Sequence, residues 1–217
     1  MVILPHLKLL LNNSMSEIIL EKHQYKSPTF KGIVEDAISF LEKTPSLELP
    51  PDTQFEGSGV YALYYFGNFQ LYQDNIKKDS EELIPIYVGK AVPSGWRTAR
   101  NSSSTQSSLS RRLREHARSI ESTTNLNVDD FSCKFIILDG LEGDLIVPIE
   151  ATLIRFYMPL WNSVIDGFGN HDPGSGRYNQ SKSEWDVLHP GRGWAERLTG
   201  VPPSYERIID KIKRINL

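Results

Sequence analysis

The sequence predicts an α+β fold in which a small central sheet is flanked by helices, with a helix before it and a loop-rich extension after it. Three observations carry that reading. Short runs rich in β-branched and aromatic residues recur at 59–66, 84–88 and 131–138. Two segments with a period near 3.6, 108–120 and 148–158, follow the second and third of them. From 163 onward the chain is dominated by turn residues until a short terminal helix. With 217 residues and 39% hydrophobic content it can bury one good core, so a single domain over 1–217 is expected. Its parts are an N-terminal arm and helix over 1–58, a core over about 59–162 and an extension over 163–217.

Each element has its own signature. Residues 1–11 are apolar but broken by Pro5, His6 and Lys8, with no basic leader and no small-residue cleavage pattern. They are not expected to target the protein, and Met15 is expected to be the natural start. From Phe30 to Leu41 an amphipathic helix places Ile33, Ala37, Ile38 and Leu41 on one side, and Pro45, Pro50 and Pro51 end it. Gly57, Ser58 and Gly59 set off the first strand, on which Tyr61, Leu63 and Tyr65 share a face. Gly67 to Tyr72 reads as a hairpin partner, followed by a polar insertion over 73–82. In the second strand Tyr87 projects opposite to Ile86 and Val88, so the phenols of Tyr61 and Tyr87 can face one site.

The helix over 108–120, with Ser107 or Ser108 as its cap, carries Leu109, Leu113, Ala117 and Ile120 as an apolar stripe. Arg111, Arg114 and Arg118 lie opposite. His116 falls inside the stripe and Arg112 at its edge, one turn away, so both should point toward the sheet. Cys133, the sole cysteine, lies in the third strand run, which implies a buried structural thiol, a reducing compartment and no multi-cysteine zinc module. Pro148 is well placed to open the next helix, which stops at Pro159. There Glu150 sits among Leu153, Ile154 and Tyr157. Burying an unpaired carboxylate costs several kcal/mol, so Glu150 needs a partner or complements the helix dipole.

Read in order, a strand with Gly59-Val60-Tyr61, a strand with Tyr87-Val88-Gly89, a helix with Arg112 and His116, a strand, a helix with Glu150, and then Asn162 resemble the GIY-YIG nuclease superfamily. Within it the chain looks most like the Type II restriction endonuclease branch that cuts the palindrome CCGCGG. The core likeness spans about 59–162 and the wider one about 30–194. Val60 and Val88 stand where the motif has isoleucine, both β-branched. The resemblance implies a small mixed sheet of antiparallel type with an inserted hairpin. It also implies metal-assisted hydrolysis of double-stranded DNA in the cytoplasm, by a homodimer whose system includes a cognate DNA methyltransferase that is not a physical partner.

The implied roles follow from residue chemistry. Glu150 would ligate one Mg²⁺, which accepts one or two carboxylates and keeps waters. Arg112 would neutralise the phosphate. Tyr61 would act as general base if its pKa were lowered, with His116 as the other candidate acceptor. Tyr87 would orient water or phosphate, and Asn162 would hold the phosphate or a metal-bound water. A homing or repair nuclease with this core usually adds a separate DNA-binding module, for which too few residues remain. A non-catalytic DNA-binding protein would not need the intact set.

The net charge of −3 is low for a DNA partner, yet 87–118 carries a net +6, a local basic patch. Lys90, Trp96, Arg97, Arg177, Lys182 and Arg192 are the candidate DNA contacts, the last three in the extension. Trp96 either wedges between bases or pins its loop to the core. The adjacent pair His171 and Asp172 is too small a set for a second metal site. No apolar run approaches the length of a membrane span.

Overall fold

The computed structural model describes residues 19–73, 84–93 and 108–214. In chain order the elements are α1 (Phe30–Lys43), β1 (Leu47–Glu48), β2 (Gly59–Tyr65), α2 (Gln70–Gln73), β3 (Tyr87–Ala91), α3 (Ser108–Glu121), β4 (Phe131–Ile137), α4 (Ile146–Tyr157), α5 (Leu160–Ser163), α6 (Glu184–Leu188) and α7 (Tyr205–Lys213). The four strands form one sheet in the order β1-β4-β2-β3, antiparallel at every pairing.

Central β2 is buried on both faces, and its alternation divides the core in two. Tyr61, Leu63 and Tyr65 face one layer with Leu109, Leu113 and Ile120 of α3 and with Trp161, Phe168 and Trp185 from beyond the sheet. Val60, Ala62 and Tyr64 face the other, against Leu41 of α1 and Ile146, Ile149 and Leu153 of α4. Each such large apolar side chain stabilises the fold by roughly 1.5–3 kcal/mol when fully buried. A methyl group on Gly59 would lie 1.9 Å from the Ile136 carbonyl oxygen, so only glycine lets β4 pair with β2 at this point.

Three elements differ from expectation. The hairpin expected at Gly67 to Tyr72 is a helical turn instead, because Phe69 and Tyr72 put their rings on one side, 4.8 Å apart, a spacing of three rather than two. The Tyr65 hydroxyl accepts the Phe69 N–H at 2.9 Å and holds that turn. β3 runs to Ala91, past the expected end at Val88, because Val60 and Gly59 pair with Lys90 and Ala91. Helix α4 starts at Ile146, two residues before Pro148, since the first-turn N–H groups of a helix lack partners and proline is tolerated there. It ends on Met158 in the left-handed conformation, φ 47°. Cys133 is buried, as its place in the strand run predicted, and burial pushes its thiol up to about 12. Among the described residues no helix is long and apolar enough to cross a membrane.

Candidate active site

Register places the two phenols. Tyr61 pairs with Gly89 and Leu63 with Tyr87, so both tyrosines point to the α3 face of the sheet, their rings 6.3 Å apart. Gly89 is what makes this fit: a methyl group there would lie 2.4 Å from the Tyr61 hydroxyl. His116 comes down from the apolar stripe of α3, 2% exposed, and its Nε2 lies 2.6 Å from the Tyr61 hydroxyl. Arg112, one turn earlier, is only 18% exposed and donates to the Gly169 carbonyl at 3.0 Å and to Glu115 at 3.2 Å. It also bonds the His171 ring.

The electrostatics assign the proton between Tyr61 and His116. Burial, then the charge of Arg112, hold the His116 imidazole well below its usual value, so it is neutral; with its one proton on Nδ1, its Nε2 accepts from the Tyr61 O–H. Burial, then Tyr87, raise the Tyr61 phenol well above 10, and the pull of Arg112 does not overcome them. In this state the phenol keeps its proton, because desolvation of a phenolate at 0% exposure outweighs one guanidinium, so Arg112 by itself does not supply the lowered value that a general base needs. Tyr87 is raised for the same leading reason.

Glu150 approaches from the other side. Lys90 pairs with Val60, on the α4 face, and its ammonium bonds Glu150 Oε2. The partner demanded by an acid in an apolar stripe is thus Lys90, which is a ligand of the site as much as a candidate DNA contact. The carboxylate side chain is 15% exposed, and its charge raises both Tyr61 and Tyr87, so it acts on the phenols across the edge strand β3. No cluster of three or more His, Cys, Asp or Glu side chains suited to a metal occurs among the described residues. A lone carboxylate of this kind suits Mg²⁺, which accepts one or two carboxylates and keeps several waters.

Asn162 and Arg192 both bind backbone groups. The Asn162 side chain accepts the Val88 N–H at 2.7 Å and donates to the Val88 carbonyl at 2.9 Å, completing the free edge of β3 as a neighbouring strand would. These two bonds use one N–H and one lone pair of its amide. Arg192 is 3% exposed and fully engaged, which removes it from the candidate base readers. Lys182 is 22% exposed and paired with Glu196. Arg177 is exposed, on the rim of a cavity of about 280 Å³ shared with Trp194 and with His171, the partner of Arg112. Trp96 and Arg97 lie outside the described residues.

Sequence reasoning missed Phe168, whose ring stacks on His116 at 4.5 Å and 19° and meets Tyr87 edge-on at 4.8 Å. The available signal was an aromatic between two glycines in a polar loop. A second tyrosine–histidine pair, Tyr72 and His189, is completed by Asn125 at 2.8 Å and Trp161 at 3.0 Å. Both members are 0% exposed, so it is a core network and not a site.

The family model for the Eco29kI GIY-YIG domain matches residues 53–216. The chain belongs to this restriction endonuclease family. It is therefore a nuclease acting on DNA, and the constellation around Tyr61 and His116 is where its hydrolytic chemistry is expected. No curated protein matches the chain.

Proposed function

We propose that this nuclease is a Type II restriction endonuclease that hydrolyses double-stranded DNA at a GC-rich palindrome, CCGCGG, as a homodimer with one Mg²⁺ at each Glu150. It would belong to a restriction-modification system with a cognate methyltransferase. The observation that supports this most is the Tyr61 hydroxyl on the Nε2 of a neutral, buried His116, with Arg112 beside it and an acid across β3.

As a water attacks the phosphorus and the bond to the leaving 3′ oxygen breaks, the water gives its proton to the Tyr61 oxygen and Tyr61 passes its own to His116 Nε2; the leaving oxygen takes up a proton from solvent. No free phenolate then has to form in a buried place. Arg112, held in place by the Gly169 carbonyl and Glu115, faces the negative charge that develops on the scissile phosphate. Tyr87 closes the other side of the water and limits its approach to one direction. Glu150 would hold the ion, which when bound supplies charge to a phosphate oxygen and acidifies the attacking water. A two-fold dimer would set one such site on each strand of a palindrome.

The test is a digest with Mg²⁺ of two plasmids, one with CCGCGG sites and one without. Discrete fragments from the first alone support the reading. Nicking or structure-dependent cuts indicate a homing or repair nuclease, and intact DNA indicates a non-catalytic binder. Sedimentation of the complex with a duplex holding one site tests the dimer.

A further inference from the structure

The extension contributes a loop over 166–171 that ends on the catalytic residues, and Arg192 is the side chain that holds it. All five N–H donors of its guanidinium are engaged. Two bond Asp186, at 2.7 and 2.8 Å. The other three go to backbone carbonyls of one loop: Gly167 at 2.9 Å, Phe168 at 3.0 Å and Asn170 at 3.3 Å. The guanidinium carbon of Arg192 lies over the Trp185 ring at 4.6 Å and over the Trp194 ring at 4.7 Å. The carbonyl that Arg192 passes over, that of Gly169, is the one that accepts from Arg112. Between these two guanidinium groups, Phe168 presents its ring to His116 and Tyr87.

A buried ion pair is no gain in stability over apolar residues of the same volume, because desolvating both charges offsets their attraction. Lysine would neutralise Asp186 equally well but has three donors and no planar fork. What the arginine adds is the grip on three carbonyls, which turns the fourth toward Arg112. Gly169 fits this role sterically, since a methyl group on it would lie 2.7 Å from the Tyr87 hydroxyl.

We propose that Arg192 is a positioning residue for DNA cleavage: through the loop it clamps, it sets the Gly169 carbonyl on Arg112 and the Phe168 ring over His116. This rests on the nuclease reading for its effect on rate, but the placement of His116 can be followed without DNA. The charged and titratable groups that face His116 are Tyr61 from β2, Tyr87 from β3, Arg112 from its own helix, His171 from the loop and Arg192 behind it.

The experiment compares the wild-type full chain with Arg192→Lys and with Phe168→Leu, which leaves the clamp in place and removes the ring. Circular dichroism reports folding, cleavage kinetics separate kcat from KM, and an NMR pH titration follows the His116 imidazole, assigned with His116→Asn. Arg192→Lys is expected to lower kcat on the order of 10²-fold with KM little changed, as for a misplacement near 1 Å. The His116 resonance should titrate at higher pH in both variants, because the imidazole loses its cover. A folded Arg192→Lys with wild-type kcat and an unmoved His116 titration overturns the proposal. Should that variant not fold, an unmoved titration in Phe168→Leu overturns it instead. If the wild type cuts no DNA, the nuclease reading fails, while the NMR arm still decides whether the clamp seats the loop on His116.

Discussion

Removing one oxygen from Tyr61 separates the chemical role of the phenol from its role in packing. Tyr61→Phe keeps a ring that is 0% exposed and packed at 6.3 Å from Tyr87 and 5.4 Å from His116, so the core is kept. What is lost is the bond at 2.6 Å, which leaves the His116 Nε2 buried without a partner. Orphaning such an acceptor costs about 1–3 kcal/mol of stability, a fall in Tm of roughly 2–12 °C for a chain of this length. The rate should fall much further. A positioned acid or base contributes about 10²–10⁴-fold, or roughly 2.7–5.5 kcal/mol in the barrier. Single-turnover cleavage of a duplex with Mg²⁺, run beside a gel shift, measures rate apart from binding. If Tyr61 and His116 act as one relay, Tyr61→Phe combined with His116→Ala is no slower than the slower single variant. A near wild-type rate in Tyr61→Phe refutes the relay, and additive losses refute the coupling.

Other outcomes follow from the same geometry. Glu150→Gln keeps the shape of the side chain and removes its charge, so cleavage and calorimetric Mn²⁺ binding in the DNA complex should both be lost while the gel shift persists; retained ion binding moves the ion elsewhere. Gly89→Ala places a methyl group 2.4 Å from the Tyr61 hydroxyl, and overpacking of this kind costs about 1–3 kcal/mol. Chemical denaturation should show that loss, and an unchanged midpoint means the phenol moves aside freely. Acid should destabilise the protein above the carboxylate range. Burial lowers His189 to about 3 and His116 well below its usual value, so the unfolded chain binds protons that the folded one refuses. Stability present above about pH 6.5 is then lost as pH falls, by up to about 2.7 kcal/mol per pH unit for the two groups together. Urea titrations between about pH 6.5 and 5 measure this slope, and a flat profile there means that these histidines are protonated in the native state.

The local facts of this protein were legible without its structure. Period two placed Tyr61 with Leu63 and Tyr65, and period 3.6 placed His116 in the stripe of α3 and Glu150 in that of α4, because side-chain direction follows from backbone geometry alone. The cost of burying a carboxylate left Glu150 either a partner or the helix dipole to complement, and the structure supplies a partner. Which cation answers it was not legible, since Lys90 reaches Glu150 only through the register of β2 with β3 and the packing of α4 on that edge. The state of the Tyr61 phenol went the same way: its field depends on total burial, which no window of sequence contains. Asn162 shows the limit most plainly. Its amide suits a phosphate or a strand edge equally, and its hold on the Val88 backbone follows only from the free edge of β3. Arg192 carries the same lesson, as a guanidinium reads bases when exposed and gathers carbonyls when buried, and only tertiary packing sets its exposure.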